Sequence, residues 1–197
     1  MSSQERLLDA GLELFHRFGI YPVGLDRILT HAGVTKTTFY KYFESKEAFV
    51  CAVLDRFADQ LLQQINASQS GLSQNGQSDS EFKSQLLSIF NAWDNLQYDK
   101  TFRGCLLISA GVASGDPHDP ARETAIRHKR RLLAAIEKIA SRAKFHDASR
   151  FAARFGAILD SSLVSRQLYG DQQEAKETFQ MAEQLITASI QERNSGK

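Results

Sequence analysis

Apolar residues recur at helical spacing along almost the whole chain, and strand-like alternation is hard to find. A chain with that single period can bury its apolar stripes only by packing helix on helix. Leu7, Leu8, Leu14, Phe15 and Phe18 recur on one side of a first helix over about residues 3–18, which Gly19 ends. Pro22 and Gly24 mark a turn before a short second helix from about Leu25 to His31. Gly33 breaks that helix, and Thr35 is placed to cap a third from Lys36 to about Tyr42. Ser45 caps a long fourth helix starting at Lys46, with Glu47 in its first turn, where negative charge suits the helix dipole. The polar Gly/Ser/Gln stretch 68–80 predicts a long loop. A fifth helix is expected from Glu81 to about Leu96 and a sixth from Phe102 or Arg103 to about Ala113. A basic helix over about 121–142 and two more near 147–168 and 173–191 follow. The expected fold is all-α, about nine helices, with a head over 1–44 and a larger helical body over 45–197.

Several function classes drop out at this level. No run approaches the roughly 18 apolar residues that span a bilayer, so no membrane partner is expected. The start, MSSQERLLDAGLELF, is amphipathic and lacks the basic leader and apolar block of a signal peptide. The expected location is the cytoplasm. The two cysteines, Cys51 and Cys105, are too few for a disulfide framework, and neither stands in a metal-ligand spacing. His118 and His128 have no acidic or thiol partner at a convincing spacing, so no metal is expected. There is no GxGxxG, GK[ST] loop, HExxH or GxSxG, so neither a cofactor nor an enzyme is expected.

The segment LDRILTHAGVTKTTFYKYF, residues 25–43, has the form of a helix-turn-helix. Phe39 and Phe43 belong to the core of such a unit, while Lys36, Thr37, Thr38, Tyr40 and Lys41 can face outward. Short hydroxyls at the start of an exposed helix can approach base edges in a major groove, and a Thr methyl can touch a thymine methyl. Lys36 can reach a guanine edge or a phosphate, and Tyr40, Lys41, Tyr42 and Lys46 suit phosphates. Within 24–46, Arg27, Lys36, Lys41 and Lys46 outnumber Asp26 and Glu44. A second basic block, 122–150, carries nine basic and three acidic residues. Its cations are spread round a helix that also holds Leu132, Leu133, Ile136 and Ile139, which reads as a solvated charged face, with a second DNA contact, a partner contact or attraction of an anionic ligand as the alternatives.

Residues 7–54 resemble the DNA-binding head of TetR-family transcriptional regulators. The matching marks are Ala10, Leu14, Phe15 and Gly19, then Ile28, Ala32, Gly33 and Val34, then Thr38, Phe39, Tyr40, Tyr42, Phe43, Lys46 and Glu47. The resemblance implies a homodimer whose third helices read a palindromic double-stranded DNA operator. It implies a repressor released by a small-molecule effector bound in the body, with activation as the alternative sign. Thr35 would cap the reading helix, and Tyr40, Tyr42 and Lys46 match positions that hold the DNA backbone. Two positions depart from the pattern. Gly24 stands where Thr or Ser is usual, and Thr37 stands where many members have Gly.

Gly104, Cys105 and Leu106 resemble the element that starts the sixth helix in one branch of the family. Some regulators of that branch sense electrophiles or oxidants through a cysteine in this region, an alternative reading here for Cys105. A buried inert thiol is the other reading. Phe90, Trp93, Tyr98, Phe151 and Phe155, with Cys105, can line a pocket for an apolar or aromatic effector, and core packing explains each singly as well. The last two helices carry apolar stripes, Ala153 to Leu168 and Phe179 to Ile190, that suit a dimer interface.

Overall fold

The computed structural model describes residues 1–68, 78–97, 104–169 and 173–196. Nine helices run through the described residues: α1 Ser3–Phe18, α2 Leu25–Ala32, α3 Lys36–Tyr42, α4 Lys46–Ser68, α5 Asp79–Gln97, α6 Leu106–Ala113, α7 Pro120–Arg142, α8 Ala148–Tyr169 and α9 Gln173–Asn194. The all-α expectation therefore holds. Most of the loop expected at 68–80 lies outside the described residues, as do Tyr98, Phe102 and Arg103. No helix among the described residues is long and apolar enough to cross a membrane.

The sixth helix starts later than the sequence suggests, at Leu106. Gly104 has φ +104°, and Cys105 is extended and occupies the N-cap. Helical geometry therefore begins only after both. The fifth helix starts two residues early, because Ser78 forms a capping pair with Glu81: each backbone N–H reaches the other's side chain.

The chain divides into two compact units, residues 1–60 with 101–129, and residues 61–100 with 130–197. In the first unit, α1 opens with the same device. The Ser2 hydroxyl accepts from Glu5 N–H and the Glu5 carboxylate accepts from Ser2 N–H at 2.6 Å. Leu7, Phe15, Ile28, Phe39, Phe49, Val53 and Leu54 are buried at its core. Phe49 packs edge-on against Phe15, Phe39 and Phe43, with ring centroids 5.0–6.1 Å apart. Gly11 lets α1 approach α4: a Cβ there would lie 2.7 Å from Phe49 Cζ and from Val53 Cγ2. The Tyr21 hydroxyl donates to Asp119 at 2.9 Å, and Asp55 pairs with both Arg127 and His128. His128, considered above as a lone candidate ligand, is buried against that carboxylate.

In the second unit, α9 packs against α8 and α5. Phe90 meets Phe179 edge-on at 5.6 Å, and Phe151 stacks on Phe155 at 5.7 Å. Arg193 ties the end of α9 to Asp79 and to the carbonyl of Ala143. The expected α8 and α9 stripes are divided. Leu159, Leu163, Ala182 and Ile186 are buried within the unit, while Ala153, Ala157, Val164 and Leu168 are exposed.

Candidate nucleic-acid interface

Helix α3 is set up locally. Gly33 ends α2 in the left-handed region, φ +60°, and its N–H reaches the carbonyls of Leu29 and Thr30. Val34 then turns inward and is buried. Thr35 has extended geometry at the N-cap of α3, and its hydroxyl accepts from Thr38 N–H at 3.2 Å. The Thr35 and Thr38 hydroxyls also bond to each other at 2.9 Å. Thr38 is thus half-buried with its hydroxyl engaged, whereas Thr35, Lys36 and Thr37 are exposed. Beneath them Phe39 is fully buried among Tyr40, Phe43 and Phe49. A seven-residue helix is marginal alone. This ring cluster holds α3 in place while its polar face stays in water.

The flanking residues form the rest of the surface. Tyr40 and Tyr42 are exposed, with Lys41 Nζ 5.9 Å from the Tyr42 ring centre. Lys46 is half-buried at the start of α4, just after Ser45, whose hydroxyl caps that helix by accepting from Ala48 N–H. The backbone N–H of Glu47 and the Ser45 hydroxyl hold the Glu47 carboxyl below its ordinary range, so a negative charge stays beside Lys46. Arg27 is exposed, but its guanidinium lies 3.6 Å from the centre of the Phe18 ring. Nothing in the sequence pattern pointed to this partner, nine residues away across a turn.

Gly24 caps α2 without a side-chain hydrogen bond, in extended geometry with φ −77°, and no atom lies within 4 Å of where its Cβ would stand. A hydroxyl residue would fit there, so packing does not account for glycine at this position.

The residues assigned to an effector pocket are placed unequally. Phe151 and Phe155 meet each other, Phe90 pairs with Phe179, and Cys105 lies in the first unit, 3% exposed. The side chain of Trp93 lies outside the described residues. Among the described residues no group of three His, Cys, Asp or Glu could hold a metal.

An exposed polar helix on a buried aromatic base, following a glycine-broken helix, defines the head as a helix-turn-helix. Residues 7–53 match the model of the bacterial regulatory proteins of the TetR family. Over 138 residues the chain is 28% identical to the transcriptional repressor NemR of Escherichia coli, covering 69% of this chain and 66% of NemR. Over 66 residues it is 38% identical to the transcriptional regulator RutR of Escherichia coli, covering 34% of this chain and 31% of RutR. The chain thus spans just under two thirds of NemR and about a third of RutR. A TetR-family regulator from Streptomyces coelicolor shares the fold with a TM-score of 0.84 at 20% identity, over 95% of this chain and 96% of that one. Residues 7–53 thus match the TetR-family domain, and the chain as a whole shares the fold of that regulator.

Proposed function

We propose that this chain is a sequence-specific, ligand-responsive regulator of transcription in the cytoplasm, acting as a homodimeric repressor on a palindromic operator. The observation that carries the reading is the outward face of α3: Lys36, Thr37 and Tyr40 exposed above a fully buried Phe39, with Thr35 capping the helix start. Residues 1–44 would be the DNA-binding head, and 45–197 the effector-binding and dimerisation body. Lys36 and Thr37 read base edges, Thr35 and Thr38 fix the helix start, and Arg27, Tyr40, Lys41, Tyr42 and Lys46 hold phosphates. Repression is the action named for NemR.

A dimer is supported by apolar side chains left exposed on α8 and α9, Val164, Leu168, Tyr169 and Met181. Two copies would bring two α3 helices onto half-sites one DNA turn, about 34–36 Å, apart. A small apolar or aromatic effector, held in the body near Phe90, Phe151 and Phe155, would release the operator. It does so only if it binds the non-operator geometry more tightly.

The test is light scattering at micromolar protein, followed by selection of bound duplexes from a random pool. A dimer that enriches a palindrome supports the reading, and a monomer with no enriched sequence contradicts it.

A second reading gives the sensing role to Cys105. Cys105 stands at the N-cap of α6, the kind of position where a helix N-terminus favours a thiolate, with its side chain buried and making no cap hydrogen bond. Operator release by an electrophile that survives Cys105→Ser would remove this reading.

A further inference from the structure

Phe18 is the last residue of α1 and stands half-buried at the corner where the chain turns towards α2. Two guanidiniums approach its ring. That of Arg27 lies 3.6 Å from the ring centre, a stacking distance, and that of Arg17 lies 5.1 Å from it. Helix electrostatics accounts for one of these cations and not for the other. Arg17 is in the last turn of α1, where the dipole favours positive charge. Arg27 is in the first turn of α2, where the dipole disfavours it. Among the described residues neither guanidinium is paired with a carboxylate. His31, one turn further along the same exposed side of α2, does take an acid, Glu13 at 2.8 Å. Stacking occupies the flat face of a guanidinium and leaves the N–H groups round its edge able to donate. Arg27 makes no hydrogen bond among the described residues, so that whole edge is available.

We propose that Phe18 is a positioning residue for DNA binding: it holds the Arg27 guanidinium flat on its ring, with the donor edge outward, so that Arg27 grips a backbone phosphate. In a helix-turn-helix the helix before the reading helix crosses the DNA backbone. Here that helix is α2, and Arg27 is exposed on its first turn. The guanidinium fork matches two oxygens of one phosphate. A long surface side chain loses rotamer freedom when it grips a ligand, and one already laid on a ring loses less. Phe18 itself touches no DNA and acts through Arg27. The inference rests on the DNA-binding reading above and adds to it a residue which that reading does not use.

The test is fluorescence anisotropy of the full chain on a mixed-sequence duplex at several salt concentrations. The variants are Phe18→Leu, Phe18→Tyr, Arg27→Gln, and Phe18→Leu combined with Arg27→Gln. Arg27→Gln should weaken binding and lower the salt slope by about 1. Phe18→Leu keeps the apolar bulk but loses the ring face, and should weaken binding about two- to fivefold, the scale of one exposed cation–π contact. Phe18→Tyr keeps the ring and should recover most of that loss. In the Arg27→Gln background Phe18→Leu should cost nothing further. A ring that served only to pack the corner would weaken binding with and without Arg27. The proposal is overturned if Phe18→Leu binds like the parent, if its loss persists without Arg27, or if Phe18→Tyr binds no better than Phe18→Leu. A parent that binds the duplex while any of these holds removes the clamp and leaves the DNA-binding reading standing. A parent that binds no duplex removes both.

Discussion

Helices α3 and α7 both carry an excess of positive charge, and they present it differently. α3 is seven residues long and carries only Lys36 and Lys41, yet its exposed face sits on a fully buried ring and its start is fixed by two bonded hydroxyls. α7 is 23 residues long and lies in the most basic stretch of the chain. Its Arg127 is paired with Asp55, while Arg130, Lys138 and Arg142 project from an exposed face. Long basic side chains on an open helix attract phosphates without fixing any register. Short side chains on a rigidly seated helix can discriminate among bases, because an error of an ångström breaks the contact. Charge count alone would favour α7, whereas the packing beneath the surface supports the proposal that α3 reads.

The comparison can be broken most forcefully from below. Phe39→Ala should destabilise the protein by about 3–5 kcal/mol, the usual scale for a buried aromatic truncation, and abolish DNA binding. Urea unfolding followed by circular dichroism checks it. Next in size is the split between reading and holding. Lys36→Ala should cost about 1–3 kcal/mol on the preferred sequence and relax preference at one base pair, whereas Lys46→Ala should weaken all sequences alike and lower the salt slope by about 1. Anisotropy titrations at several salt concentrations separate the two.

Lys144 follows α7 in the left-handed region, φ +56°, and sharpens the contrast from the other side. Lys144→Gly removes a cation from the basic block yet should stabilise the fold by about 1 kcal/mol, because glycine adopts that backbone without strain. A rise in melting temperature with unchanged operator affinity is the expected result. The smallest effect concerns Asp79. Its hydrogen bond from Arg193 holds the carboxyl below its ordinary range. The pair's contribution is therefore present above the unfolded carboxylate value of about 3.9 and is lost as pH falls through the lower folded value. Arg193→Gln should flatten that part of the stability profile, measured by thermal melts between the neutral and acid ranges.

The head was legible in the sequence because its determinants are local. Gly33, Thr35 and the spacing of Phe39 and Phe43 specify turn, cap and buried face within a dozen residues. What the sequence hid depends on distant chain. Tyr21 meets Asp119 and His128 meets Asp55, and neither pair shares a helix. The late start of α6 turns on the positive φ of Gly104, which a helical period through the neighbouring residues does not register. The basic block could be read as charge, but not which of its cations is paired, since the bond from Arg127 to Asp55 joins residues far apart in the chain.

The most direct test of the central claim is one selection from a random duplex pool, run in parallel with the parent protein, Thr37→Ala and the double variant Lys138→Gln with Arg142→Gln. If α3 reads and α7 does not, the parent enriches a palindrome bound about 10³-fold or more above random DNA. The α7 variant enriches the same palindrome, and Thr37→Ala shifts or blurs it at symmetric positions. A parent that enriches no sequence, or a palindrome that changes with α7 and not with α3, would contradict the account.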